Sequence, residues 1–152
     1  MHDALDLSVV RGRVHMRRGD GAVLFDGSNL VVQGGMELIV RALMGTDRIT
    51  GVNFGLTANR AITVGTRGIG TPVANASVET SGIAPTIAKD GRGARTIGTW
   101  TAVLAATSVL TYDTLGLVSD SGLLFAALTF SPVTLQIGES VAVQWTILLR
   151  GA

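Results

Sequence analysis

The sequence predicts a mainly β fold, an antiparallel β-sandwich or jelly roll with one short helix, on three observations. Val10–Arg17 and Val141–Leu149 alternate apolar and polar side chains with period two, as a half-buried strand must. Glycine, serine and Asp-Gly turn signals recur between short apolar runs. Aromatic residues make up 5% and charged residues 15% of the chain, the latter well under the ~25% of ordinary domains. What remains is Gly, Ala, Thr, Ser, Val and Leu, a mixture that suits pleated surfaces and bends better than a helix bundle.

The first strand places Val10, Val14 and Met16 on one face and Arg11, Arg13, His15 and Arg17 on the other, with Arg18 beside them. Arg18-Gly19-Asp20-Gly21 is a hairpin turn, and Ala22–Phe25 is the return strand. Asp26-Gly27-Ser28 reads as the next turn, Asn29–Val32 as a short strand, and Gln33-Gly34-Gly35 as its break. Met36–Met44 is the one helix: Met36, Ile39, Val40 and Leu43 form its apolar stripe, Glu37 and Arg41 pair at i, i+4, and Gly45 stops it. Its stripe is expected to pack across a sheet.

Gly51–Gly65 is irregularly strand-like. Residues 66–95 are rich in Gly, Thr, Ala and Ser without a firm period and read as a long excursion, an arm that orders on docking. Thr96–Leu110 and Tyr112–Leu117 return to strand character, Ser119–Gly122 turns, and Leu123–Phe130 is a strand that Ser131-Pro132 ends. In the last strand Val141, Val143, Trp145, Ile147 and Leu149 form the core face, opposite Gln144 and Thr146. At 152 residues this is one domain, able to bury roughly 70% of its unfolded surface.

Several function classes are disfavoured by composition. No cysteine is present, so disulfides, thiolate metal sites and cysteine nucleophiles are excluded. A net charge of +1 gives no global attraction to nucleic acid or anionic lipid. Trp100–Leu110 and Gly122–Phe130 are apolar but too short for a ~20-residue span, and the start lacks a basic, then apolar, leader. Synthesis in a cytoplasm is the expectation. A mean hydropathy of +0.45 in a protein outside the membrane implies extensive contact with other chains.

Two segments carry a resemblance. Asn29-Leu30-Val31-Val32-Gln33-Gly34-Gly35 leading into Met36–Met44 resembles the opening of a group of tailed-bacteriophage virion structural proteins, where a strand and small-residue turn precede a short helix. Leu115-Gly116-Leu117, then Ser119–Leu135 with its Ser-Pro, then Gly138–Ile147 with a single Trp among alternating apolar residues, is similar to the closing strands of the same group. Together these cover about a third of the chain. The group includes capsid cement (decoration) and tail-fibre-associated members. The resemblance implies a non-enzymatic virion protein on the capsid exterior, with the major capsid protein and further copies of itself, as dimer or trimer, for partners. Residues 66–95 and the basic strand 11–17 depart from the group's pattern.

Chemical motifs are thin by comparison. The two histidines, His2 and His15, lie at the terminus and among arginines, which offers no Ser-His-Asp set. Asp20 and Asp26 are turn residues, and Asp113 and Asp120 flank the Gly116 region; a polysaccharide-degrading carboxylate pair is a remote alternative. Gly65-Thr66-Arg67-Gly68-Ile69-Gly70 lacks the order and the Lys-Ser/Thr end of a phosphate loop. Arg18-Gly19-Asp20 spells an adhesion tripeptide that the hairpin explains equally well. No catalytic, metal or cofactor residue is therefore assigned, and neither nucleic acid nor a small-molecule substrate is expected as a partner. Arg11, Arg13, His15, Arg17 and Arg18 are the expected docking stripe for an acidic protein surface, against the alternative of an edge strand kept from aggregating by charge.

Overall fold

The computed structural model describes residues 7–56, 61–69, 71–87 and 94–151. Its elements are β1 (Leu7–Arg18), β2 (Val23–Val31), α1 (Gln33–Leu43), β3 (Ile49–Leu56), β4 (Thr71–Ile87), β5 (Ala94–Ala105), β6 (Leu110–Ser119), β7 (Leu124–Leu135) and β8 (Ser140–Gly151). The fold is mainly β, antiparallel throughout, with one helix. The strands close into a barrel in the order β1-β2-β7-β6-β3-β4-β5-β8. A sandwich or jelly roll was the expectation from sequence; the closure has an identifiable cause. Both β2 and β4 change partners along their length. β2 pairs with β1 from Val23 to Asn29 and with β7 at Leu30 and Val31. β4 pairs with β3 from Thr71 to Ser77 and with β5 from Val78 onward. Each thus forms a corner shared by two sheets, and two such corners join the sheets into one wall.

β4 also corrects the reading of residues 66–95 as an excursion without its own structure. Ala76 is buried, Val73, Ala74 and Val78 are half-buried, and Asn75, Ser77 and Glu79 face solvent. The alternation is present, but alanine carries little hydrophobic contrast. Residues 70 and 88–93 of the expected arm lie outside the described residues.

Other boundaries shift for local reasons. β2 runs unbroken through Asp26-Gly27-Ser28, because Gly27 there makes room rather than a turn: a Cβ on it would stand 3.0 Å from the Phe25 ring. β7 continues through Ser131-Pro132, which fall where the β6–β7 register slips between Tyr112↔Val133 and Thr114↔Thr129. A bulge is where a strand tolerates a residue with no N–H. The helix begins at Gln33, three residues before the sequence suggests. Gly34 and Gly35 do not break it; they lie against β7, where a Cβ on Gly35 would sit 2.5 Å from the Phe125 carbonyl oxygen. Two glycines let the first turn of α1 touch a strand backbone.

The interior is filled by side chains. Val141, Val143, Trp145 and Ile147 are buried and Leu149 is half-buried, while Gln144 is exposed. Tyr112 sits edge-on to Phe54 (centroids 5.1 Å apart) and to Phe130 (5.7 Å), and Phe25 meets Phe130 at 5.8 Å. The Tyr112 hydroxyl donates to Met16 Sδ at 3.2 Å, and burial pushes its pKa well above the usual phenol value. Ile69 closes a smaller cluster with Val32, Leu124 and Ala127, so the loop after Gly65 is anchored by an aliphatic side chain.

Candidate interaction surface

The helix α1 carries more apolar surface than the barrel covers. At 100° per residue, Leu38, Ala42, Ile39, Leu43, Met36, Val40 and Met44 follow one another around about 240° of the helix, leaving a polar edge at Glu37 and Arg41. Only Gly35 and Leu38 are buried. Met36, Val40, Leu43 and Met44 are 44%, 56%, 81% and 71% exposed. This corrects the expected stripe: Met36, Val40 and Leu43, read as facing the sheet, point to solvent. The glycines at positions 34 and 35 set the rotation, because the face that touches β7 must be the one without side chains.

Beside this ridge lies a groove. Leu38, Ile39 and Ala42 face Trp100, Phe125, Ile147 and Leu149 across a cavity of about 290 Å³ at one mouth of the barrel, with Arg48 and Thr80 also lining it. Ile39 belongs to both, so ridge and groove form one continuous apolar surface.

The C-terminal end of α1 is fixed to the barrel by Asp47. Its carboxylate accepts hydrogen bonds from the Ser119 hydroxyl (2.9 Å), the Ser121 hydroxyl and the Arg48 amide (2.9 Å), and the Arg41 guanidinium lies 3.8 Å away. The Ser121 hydroxyl bond, helped by that of Ser119 and by backbone amides, holds the Asp47 pKa below the ordinary carboxylate value against the opposing effect of burial. Carboxylate and hydroxyls satisfy one another here and keep the helix in place. Arg41 also bonds Glu37 at 2.8 Å, the i, i+4 pair. Among the described residues no three His, Asp or Glu side chains converge as metal ligands, and no helix is long and apolar enough to cross a membrane.

The basic stripe of β1 lies on the outer face of the barrel, and part of it is neutralised within the chain. Arg13 contacts Asp26 at 3.1 Å, and His15 Nδ1 stands 3.7 Å from the same carboxylate. Arg18 donates to Glu139 at 2.8 Å. The Gln136 amide and then Arg18 hold the Glu139 pKa below its usual value. Asp20 accepts the Ala22 amide at 2.9 Å, so the Arg-Gly-Asp tripeptide serves its turn. Arg11 and Arg17 are exposed and have no ion pair among the described residues. Of the four arginines in the stripe, Arg13 and Arg18 are therefore paired within the chain and Arg11 and Arg17 are not.

Next to Arg11 the wall has a second feature that sequence reasoning missed. Trp145 Nε1 donates to Asn29 Oδ1 at 3.2 Å, and Asn29 Nδ2 is buried with no partner among the described residues. An unmatched buried donor costs about 1–3 kcal/mol.

No family model, curated protein or solved structure matches the chain.

Proposed function

We propose that the chain is a structural protein of a tailed-phage virion, a capsid cement protein that binds and stabilises the shell of the major capsid protein from outside. The observation that carries the assembly part is the exposed apolar face of α1, set beside an apolar groove. A chain that leaves Leu43 and Met44 in water while only two helix residues are buried gains by covering them. A ridge and a groove side by side on one surface suit a second copy related by a two-fold axis, each ridge entering the other's groove. The outer face of β1, with Arg11 and Arg17 unpaired, suits an acidic neighbour in the shell. The virion setting rests on the resemblance of residues 29–44 and 115–147. In this reading each bound copy links shell subunits and stabilises the assembled particle by mass action.

A tail-fibre or tail-appendage role uses the same surfaces at a different copy number. Gel analysis of purified particles, measuring this chain against the shell protein, separates the two: hundreds of copies per particle indicate cement, a handful a tail component. Absence from purified particles contradicts both.

A further inference from the structure

β1 and β2 part company after Gly12↔Asn29. On one side β1 remains paired with β8 back to Leu7, whereas β2 turns away to meet β7 at Leu30 and Val31. Among the described residues, nothing pairs with the other edge of Leu7–Arg11. Beside the parting strands, and extending over the outer face of β8, runs a groove of about 560 Å³ lined by Arg11, Gly12, Arg13, Asn29, Leu30 and Leu148 among others. Two features thus meet at the groove: a strand edge that no described residue pairs with, and an unpaired arginine.

We infer that this fork is a strand-addition site, in which an extended acidic segment of another protein pairs with the β1 edge. A free strand edge offers N–H and C=O groups in alternation, and a peptide backbone can satisfy both. Nucleic acid supplies acceptors in its phosphates but no matching ladder, which favours a polypeptide. A carboxylate side chain of the added strand meets Arg11, none of the described residues that line the groove being acidic. Leu30 and Leu148 provide apolar contact for alternate side chains. The site deepens the assembly reading at the basic face and is separate from the α1 surface.

The test uses the whole chain, ¹⁵N-labelled, carrying Val40→Gln and Leu43→Gln so that association through α1 does not interfere. The probe is a blocked peptide of about eight residues, alternating valine and threonine with two aspartates, a length that covers the free edge with overhang. Expected are backbone amide shifts at Leu7–Arg11, lost when alternate peptide nitrogens are methylated. Arg11→Gln, or asparagine for aspartate in the peptide, weakens binding roughly two- to fivefold, the range of an exposed ion pair. No shift at these positions, equal binding of the methylated peptide, or shifts there from a thymidine oligonucleotide but not from the peptide overturns the inference. Each of these leaves the α1 reading standing, because that surface is scored by the oligomeric state of the unsubstituted chain.

Discussion

Trp145 reaches Asn29 across Gly12: the indole Nε1 donates to the Asn29 carbonyl oxygen at 3.2 Å, and the Asn29 amide occupies the space where a Cβ on Gly12 would stand. Three neighbouring strands, β2, β1 and β8, are fastened on their inner face through a residue with no side chain. Gly12→Ala is therefore expected to destabilise by about 1–3 kcal/mol, the range for an overpacked core. Urea unfolding followed by tryptophan fluorescence checks this; an unchanged midpoint shows that the Asn29 amide can move aside freely.

Trp145→Ala removes a side chain with no exposure and is expected to cost about 3–5 kcal/mol. Trp145→Phe keeps most of the volume but leaves Asn29 Oδ1 without its donor, so its cost falls near 1–3 kcal/mol. Thermal unfolding of the pair separates packing from the hydrogen bond. Equal losses from the two variants contradict the assignment.

Asp47 and Glu139 make the fold sensitive to acid. Both have folded-state pKa values below their ordinary 3.8 and 4.5, Asp47 chiefly through the Ser121 hydroxyl and Glu139 chiefly through the Gln136 amide. In acid the unfolded chain binds protons first, so their contribution is present above the unfolded values and is lost as pH falls through the lower folded ones. Unfolding midpoints compared at pH 7 and pH 3 should fall at the lower pH, and fall less in Asp47→Asn. A decline of equal size in that variant places the acid sensitivity elsewhere.

Much of this architecture can be read locally, and the parts that cannot share a reason. The alternation in Val10–Arg17 and Val141–Leu149 is strong because large aliphatic residues face charged or amide ones, and β1 from Arg11 onward and β8 follow it. β4 escaped because Ala74 and Ala76 line its inner face with no more bulk than the Ser77 opposite. Gly34 and Gly35 read as a break because glycine is a poor helix former, whereas their use here depends on the Phe125 carbonyl nearly a hundred residues away. Barrel closure likewise depends on β2 and β4 exchanging partners, a long-range event. The outward face of α1 did leave a local trace: an apolar arc of about 240° is wider than one buried stripe needs. On the β1 stripe, residue types and spacing showed the cations but not that Asp26 and Glu139 would take up two of them.

That pairing sharpens what charge reversal or removal should do. Arg11→Gln with Arg17→Gln is expected to weaken attachment to an acidic surface and to flatten its salt dependence, with thermal unfolding nearly unchanged because both side chains are exposed. Particle occupancy at low and moderate salt reads this out. Unaltered occupancy and slope assign the stripe to protection of the strand face alone.

Whether the outward face of α1 is an interface is decided by sedimentation velocity on the purified chain. The unsubstituted protein should sediment as a dimer or trimer. Val40→Gln with Leu43→Gln should sediment as a folded monomer that still unfolds cooperatively, its midpoint lower only by what association contributed, since both residues lie outside the core. An unsubstituted protein that stays monomeric at high micromolar concentration, or a variant that keeps the oligomer, contradicts the claim.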